Sequence, residues 1–175
     1  MLKLLSEQKA LARLQKLKTD FKDRISEGYE HRAKDCLTCE TRGACCLDAH
    51  FVNVHISRLE AAAIRQAIEA LPEGVRHTVA DRVEHTIEKY ELSTEGDTYA
   101  KTYACPLFER GIGCLVHQKG KPLPCITHAC YENKADLPPD ELLTEQEKRV
   151  DDLNTRTYGR PQPWRPLPVA IRLSR

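Results

Sequence analysis

The chain has 175 residues, of which 41% are hydrophobic and 30% are charged, a composition typical of a globular domain and not of a disordered chain. Its 27 lysines and arginines nearly balance its 26 aspartates and glutamates, so the net charge of +1 gives no general attraction to nucleic acid or to anionic lipid. Neither nucleic acid nor a membrane is therefore expected as a partner, and the length suits one domain.

The N-terminal segment is predicted to form a helix over residues 2–27, ending near Gly28, because apolar residues recur there at helical spacing. The residues of this stripe are Leu4, Leu11, Leu14, Leu17, Phe21 and Ile25. Charged residues interrupt the start too early for a secretory signal, and no segment is long and apolar enough to span a membrane. A cytoplasmic protein with reduced thiols is the expectation.

The central segment is predicted to contain a short strand over residues 51–56, followed by two helices. Ser57 and Glu60 match a capping box, which opens a helix that Pro72 ends. A stripe of apolar residues then predicts another helix over residues 73–92. These helices form the centre of a mostly helical scaffold.

The C-terminal segment is predicted to open with a helix from Pro138 to about Asn154. Four prolines follow within residues 159–175, which favours an extended basic tail that is solvated or wraps the domain through its apolar residues. Glycine and proline in residues 105–130 predict a loop there. The predicted fold class is thus mainly α with little β, a helical scaffold carrying two cysteine-rich loops. The predicted parts are residues 1–34 (N-terminal helix), 35–134 (cysteine-cluster domain) and 135–175 (C-terminal helix and proline-rich tail on the same domain).

The eight cysteines fall into two blocks, and the 58 residues between Cys46 and Cys105 contain none. In a secreted chain eight cysteines would suggest four disulfides, but in a reducing compartment they indicate metal ligation. Buried cysteines with no ion are the remaining alternative. The first block holds Cys36, Cys39, Cys45 and Cys46, and the second holds Cys105, Cys114, Cys125 and Cys130.

The spacing of the cysteines explains how they would bind an ion. A Cys-x-x-Cys pair, as at Cys36 and Cys39, lets two thiolates converge while backbone N–H groups point at the sulfurs. Gly43 permits the chain to turn back before Cys45 and Cys46. Thiolates are soft ligands that suit zinc or iron, including iron–sulfur clusters, so all eight cysteines are candidate ligands. Two four-cysteine sites, or one four-iron cluster and a second metal, both require the blocks to meet, and the pairing stays open.

Histidines beside the cysteines are the next candidate ligands. His117 and His128 each lie three residues after a cysteine and can replace one as a ligand, although support of the ligands or a surface position is the favoured interpretation. His50 and His55 flank the first block and are interpreted as supporting groups. The remaining histidines are predicted to be solvated on helices: His31, His77 and His85.

The order of these motifs resembles the YkgJ-like cysteine-cluster family of zinc- or iron-chelating domains over about residues 35–131. The matching elements are the first block, Cys105-Pro106, Gly113-Cys114 with His117, Pro122 with Cys125, and Cys130. This chain has Lys121 where the family commonly has Arg, which keeps the charge but loses the bidentate fork. The resemblance implies metal chelation. A similar cluster in flagellin lysine N-methylases is associated with an iron–sulfur centre and methyl transfer.

Three functions are compatible with the sequence. The first is a metal-binding protein that holds zinc or iron. The second is an iron–sulfur enzyme of redox or group-transfer type, although no strand–loop–helix signature for a methyl-donor nucleotide is present. The third is a metal-stapled module that engages an unknown protein partner through the N-terminal helix or the tail. Cys46 is the candidate for a reactive thiol, because its neighbour Cys45 can satisfy a metal site.

Overall fold

The computed structural model describes residues 4–35, 39–41, 43–47 and 52–174, and there the protein is mainly α-helical, as predicted. The helices are α1 (Glu7–Gly28), α2 (Ala44–Leu47), α3 (Arg58–Glu69), α4 (Glu73–Lys89), α5 (Leu123–Thr127), α6 (Asp140–Tyr158) and α7 (Leu167–Leu173). The strands are β1 (Ala33–Lys34), β2 (His55–Ile56), β3 (Phe108–Glu109), β4 (Gly113–Cys114), β5 (Cys130–Tyr131) and β6 (Arg165–Pro166). They form three antiparallel pairs, β1 with β5, β2 with β6, and β3 with β4.

The chain divides into two compact units, each built from two separate stretches of sequence. Unit 1 comprises Met1–Arg42 and Pro122–Pro161, and unit 2 comprises Gly43–Lys121 and Gln162–Arg175. Helices α1, α5 and α6 therefore belong to unit 1, and the other four belong to unit 2. The division separates the cysteines of each block, because it falls between Arg42 and Gly43 and between Lys121 and Pro122.

Unit 1 is built on the packing of α1 against α5 and α6. The Ser6 side chain accepts a hydrogen bond from the Lys9 N–H and caps α1, so the helix begins at Glu7, later than the predicted residue 2. The buried face of α1 is the predicted apolar stripe from Leu14 to Ile25. The buried partners on α5 and α6 are Leu123, Ile126, Val150 and Leu153.

Unit 2 is built on α7, which contacts α3 and α4. The prediction of an extended, solvated C-terminal tail was wrong here, because residues 167–173 form a helix and Val169 is fully buried. Pro166 and Pro168 are compatible with this, since proline is tolerated at the start of a helix where no intrahelical N–H bond is lost. The same apolar residues that were predicted to wrap the domain thus form part of its core.

The two central helices agree with the prediction. Ser57 and Glu60 form the capping box at the start of α3, with both reciprocal hydrogen bonds present. Helix α3 ends at Glu69, and α4 starts after Pro72. No helix within the described residues is both long and apolar enough to cross a bilayer.

Tyr103 ties three separate stretches of unit 2 together. Its side chain is fully buried, and its hydroxyl donates to the Val54 carbonyl at 2.5 Å while accepting from the Leu167 N–H at 3.1 Å. Its own N–H donates to the Val52 carbonyl at 2.9 Å. These bonds fix the segment that leads into Cys105 against the start of α7.

Replacing Tyr103 with Phe is expected to lower the free energy of unfolding by about 1–3 kcal/mol, because two buried backbone groups lose their shared partner. Urea denaturation followed by circular dichroism measures this. Tyr90→Phe is the matched control, since the structure gives the Tyr90 hydroxyl no hydrogen bond within the described part of the chain, and its midpoint should stay near wild type. Equal effects of the two variants would contradict this role of Tyr103.

His55 lies in the same region, and within the described residues its contacts are with Tyr99 and Thr98 rather than with a cysteine. His50, interpreted in the same way from sequence, lies outside the described residues. The His55 ring is buried, stacks on Tyr99 with 3.8 Å between ring centroids, and its Nε2 lies 3.0 Å from the Thr98 hydroxyl. Burial lowers the pKa of His55 below its ordinary value of 6.5, and the Asn53 backbone only partly opposes this shift.

The lowered pKa predicts a pH dependence of stability. Above pH 6.5 His55 is neutral in both the folded and the unfolded state. Below pH 6.5 the unfolded chain binds a proton before the folded protein does, because the folded pKa is lower. The free energy of unfolding therefore decreases as the pH falls toward the folded pKa. Urea midpoints measured across this range should decline, and His55→Gln should flatten the decline. The exposed His85, changed to Gln, should leave the slope unchanged. A slope unaffected by His55→Gln would count against the assignment.

Candidate metal centre

The predicted metal ligands are distributed over both units. Cys39, Cys125 and Cys130 lie in unit 1, and Cys36 falls outside the described residues. Unit 2 holds Cys45, Cys46, Cys105 and Cys114. Each of the seven described cysteines is half-buried, and Cys39, Cys105 and Cys114 carry free thiols.

Cys105 sits in a tight turn that aims backbone donors at its sulfur. The N–H groups of Leu107 and Phe108 both donate to the thiol. The Leu107 side chain is 1% exposed and belongs to the apolar core of unit 2. Packing in the core therefore fixes the position of Leu107, whose N–H points at the Cys105 sulfur. A turn with N–H groups directed at sulfur stabilises a thiolate.

Cys114 repeats this arrangement at the other end of a short hairpin. The Val116 N–H donates to its thiol, and the Val116 side chain is 1% exposed in the same core. Strands β3 and β4 pair so that Phe108 lies opposite Cys114, and the Leu115 N–H donates to the Leu107 carbonyl at 2.9 Å. The hairpin thus presents two turns of the same type beside each other.

The electrostatics of the two thiols differ. Burial raises the pKa of Cys105 to about 12, and the nearby Cys114 thiol raises it further against the effect of the two N–H donors. Burial also raises the pKa of Cys114, but the Val116 N–H and the Lys121 ammonium act in the opposite direction. Both thiols therefore hold their protons at neutral pH, and a bound cation would have to displace them.

The cysteine pair of the first block is joined to this hairpin. Cys45 and Cys46 lie on the single turn of α2, which follows Gly43. The Cys105 N–H donates to the Cys46 carbonyl at 2.7 Å. Gly43 has φ +86°, and a Cβ at this position would overlap the ring of Phe108. The predicted turn at Gly43 therefore also provides the close approach of the two segments.

The three described cysteines of unit 1 have their own surroundings. Strands β1 and β5 place Lys34 opposite Cys130, and the thiols of both Cys39 and Cys130 act on the pKa of Lys34. That pKa is raised above its ordinary value, first by a hydrogen bond to Glu132, which lies 2.5 Å from the ammonium. Cys125 lies on α5 in the same unit.

Two lysines beside the thiols were not predicted as site residues. Lys34 precedes the first block by two residues, and Lys121 was noted only as a departure from the family pattern. Single lysines near cysteines are common in sequence, so the sequence alone does not single these two out. The structure pairs Lys34 with Cys130 across two strands and places the Lys121 ammonium where it acts on the Cys114 thiol.

His117 and His128 are exposed, which agrees with the surface position that was one of the two roles favoured from sequence. Within the described residues, no group of three or more Cys, His, Asp or Glu side chains is placed so that it could hold a metal ion. The described geometry consists of the Cys105–Cys114 pair, the attached Cys45–Cys46 turn, and the Lys34 neighbourhood in unit 1.

Gly43→Ala is expected to destabilise the protein by about 1–3 kcal/mol through a strained backbone, with a further loss from overlap with Phe108. Gly111→Ala is the matched control, because its φ of +83° is nearly the same but a Cβ there meets nothing within 4 Å. The difference between the two urea midpoints isolates the overlap. Gly43→Ala combined with Phe108→Ala should recover part of that difference, and no recovery would contradict the contact.

No family model, no curated protein and no solved structure matches this chain. The resemblance to the YkgJ-like cysteine-cluster family rests on the spacing of the cysteines alone and stays a prediction.

Proposed function

We propose that this chain is a metal-binding protein that holds zinc or iron, the latter including an iron–sulfur cluster, through cysteine thiolates. The proposed ligands are Cys36, Cys39, Cys45, Cys46, Cys105, Cys114, Cys125 and Cys130. Of these, Cys36 is included on its sequence spacing only.

The observation that carries the proposal is the pair of turns at Cys105 and Cys114. Each directs backbone N–H groups at a sulfur, and each is held by a fully buried residue two positions further along the chain. Such donors contribute little to a neutral thiol, which is a weak acceptor, but they stabilise the charge of a thiolate. A structural role for the cysteines as small apolar residues would not require these donors.

Burial raises the pKa of the Cys105 thiol to about 12, so forming a thiolate there is costly. A thiolate in apolar surroundings needs a compensating positive charge, and at Cys114 the Lys121 ammonium supplies part of it. A divalent cation supplies that charge and deprotonates a coordinating thiol outright. Soft sulfur donors select zinc and iron over magnesium or calcium.

Binding of the ion would also stabilise the fold, because the site is not formed in the unfolded chain. A structural zinc site contributes an apparent binding energy on the order of 10–16 kcal/mol, which exceeds the stability of a typical domain. The α2 turn and the β3–β4 hairpin carry little regular structure of their own, so they would gain most from the ion.

Metal analysis of protein prepared without oxygen should find stoichiometric zinc or iron. Cys105→Ser together with Cys114→Ser is expected to abolish binding at the hairpin, because a hydroxyl is a poor replacement for a soft thiolate. Ala104→Ser is the matched control, since it adds a hydroxyl next to Cys105 and leaves every sulfur in place. His117→Ala and His128→Ala should both retain the full metal content.

The same preparation separates the proposed function from its alternatives. A coloured protein with iron and inorganic sulfide would support the iron–sulfur form and open the question of redox or group-transfer chemistry. A colourless protein with zinc would support the chelating form. A folded wild-type chain that contains neither metal after anaerobic preparation and reconstitution would overturn the proposal.

A further inference from the structure

We propose that a cleft between α1 and α6 of unit 1 binds a small phosphate monoester, with the phosphate at its cationic rim and an apolar group on its floor. The cleft has a volume of about 520 Å³, within the range of roughly 300–1,000 Å³ that is typical of small-molecule sites. Binding there is independent of the proposed metal site, because none of the described residues that line the cleft is a cysteine.

Two hydrogen bonds at the helix ends hold the walls of the cleft. The Leu5 N–H donates to the Arg156 carbonyl at 2.9 Å, and the Tyr158 hydroxyl donates to the Glu7 carboxylate at 2.8 Å. The start of α1 is thus attached to the end of α6, so the two packed helices run in opposite directions. Side chains presented by packed helices are held more precisely than side chains on loops, which favours a preformed site.

Two leucines provide the floor of the cleft. Leu17 on α1 and Leu153 on α6 are the buried members of its lining, with 7% and 8% of their surfaces exposed. The charged residues of the lining are exposed and therefore form the rim. A ligand with an apolar body can cover the remaining leucine surface while its charged group stays at the rim.

The two carboxylates of the lining already have cationic partners. The Asp20 carboxylate accepts two hydrogen bonds from the Lys16 ammonium, at 2.9 and 2.8 Å. The Asp152 carboxylate is paired at 3.3 Å with Arg156, which does not itself line the cleft. Neither carboxylate therefore has to neutralise the other cations of the rim.

Three further cations of the rim have no carboxylate partner within the described part of the chain. There, the side chains of Arg13 and Lys148 form neither an ion pair nor a hydrogen bond. The Arg149 guanidinium donates at 3.1 Å to the neutral Gln146 Oε1. Gln146 is 4% exposed, so a buried side chain holds one part of this guanidinium and leaves its other N–H groups for a ligand. Because the whole chain carries a net charge of only +1, this surplus of cations is local.

A phosphate monoester matches these groups better than a carboxylate does. It carries about −1.5 to −2 charges at pH 7, whereas a carboxylate carries one, so it makes fuller use of three cations. The planar guanidinium fork binds phosphate through two parallel hydrogen bonds, and one such fork comes from each helix, at Arg13 and Arg149. Lys148 adds a point charge between the phosphate and solvent.

The test is a calorimetric titration of the full chain at pH 7 with phenyl phosphate. Phenyl phosphate is expected to bind more tightly than phenylacetate, which has the ring but one charge, and than inorganic phosphate, which lacks the ring. Arg13→Gln and Arg149→Gln are each expected to weaken binding at least about tenfold, because a charge-assisted hydrogen bond is lost. Arg24→Gln is the matched control, since it removes the same charge from an exposed position of α1 outside the cleft and should keep the wild-type affinity.

Four outcomes would overturn this inference. The first is no binding of phenyl phosphate by the folded wild-type chain, and the second is an equal loss of affinity in Arg13→Gln and Arg24→Gln, which would indicate general attraction to surface cations. The third is equal affinity for inorganic phosphate, which would exclude a role of the leucine floor. The fourth is binding that a chelator abolishes but Arg13→Gln does not, which would place the ligand on a metal. Absence of metal from the wild-type chain overturns the proposed function and leaves this inference intact.

A second measurement on the wild-type chain does not depend on the folding of variants. Phenyl phosphate is added to the ¹⁵N-labelled protein, and the amide chemical shifts are followed by NMR. The largest changes are expected on both walls of the cleft, within residues 13–20 and 148–153. Changes confined to unit 2, or to only one of the two helices, would contradict the site.

An oligonucleotide supplies phosphate from a different source and separates the two. Single-stranded DNA carries its phosphates as diesters with one charge each, so it should bind the cleft more weakly than phenyl phosphate at equal phosphate concentration. Tighter binding of the oligonucleotide that is lost in Arg13→Gln would assign the cleft to nucleic acid and overturn the small-molecule proposal.

Discussion

The candidate site depends on a coupling between the apolar core and the backbone donors that face sulfur. Leu107 and Val116 each follow a cysteine by two residues, bury their side chains in the core of unit 2 and direct their N–H groups at the thiols. Burying a Leu or Val side chain contributes roughly 1.5–3 kcal/mol, which exceeds the net contribution of a typical hydrogen bond of about 1 kcal/mol. Core packing therefore sets the position of the turns, and the hydrogen bonds to sulfur follow from it.

The C-terminal stretch completes this core. Helix α7 contacts α3 and α4, while the Tyr103 hydroxyl joins the Val54 carbonyl to the Leu167 N–H at its start. Tyr103 precedes Cys105 by two residues, so the same contact that holds α7 also holds the entry to the hairpin. Stability of unit 2 and geometry of its cysteines are thus linked through one buried side chain.

Charge is arranged differently around the cysteines of the two units. The Lys121 ammonium lowers the pKa of Cys114 in unit 2, whereas Lys34 in unit 1 is bonded to Glu132 and is affected only weakly by the thiols of Cys130 and Cys39. A lysine lowers the cost of forming a thiolate nearby without competing as a metal ligand, because its ammonium has no lone pair to donate. In both units, therefore, a lysine charge acts together with a cysteine thiol.

The sequence by itself determined the mainly α-helical fold, the capped start of α3 and the end of that helix before Pro72, because helical periodicity, capping residues and proline act over a few neighbouring residues. It also singled out the cysteines as candidate ligands through their spacing. It failed for residues 167–173, where the prolines suggested an extended tail but burial of Val169 and its neighbours in the core stabilises a helix. Only the tertiary structure decided that Cys46 meets Cys105, that Lys34 and Lys121 face sulfur, and that the two blocks are divided between units. These contacts join residues far apart in the chain, so they depend on how the helices pack and not on local sequence pattern.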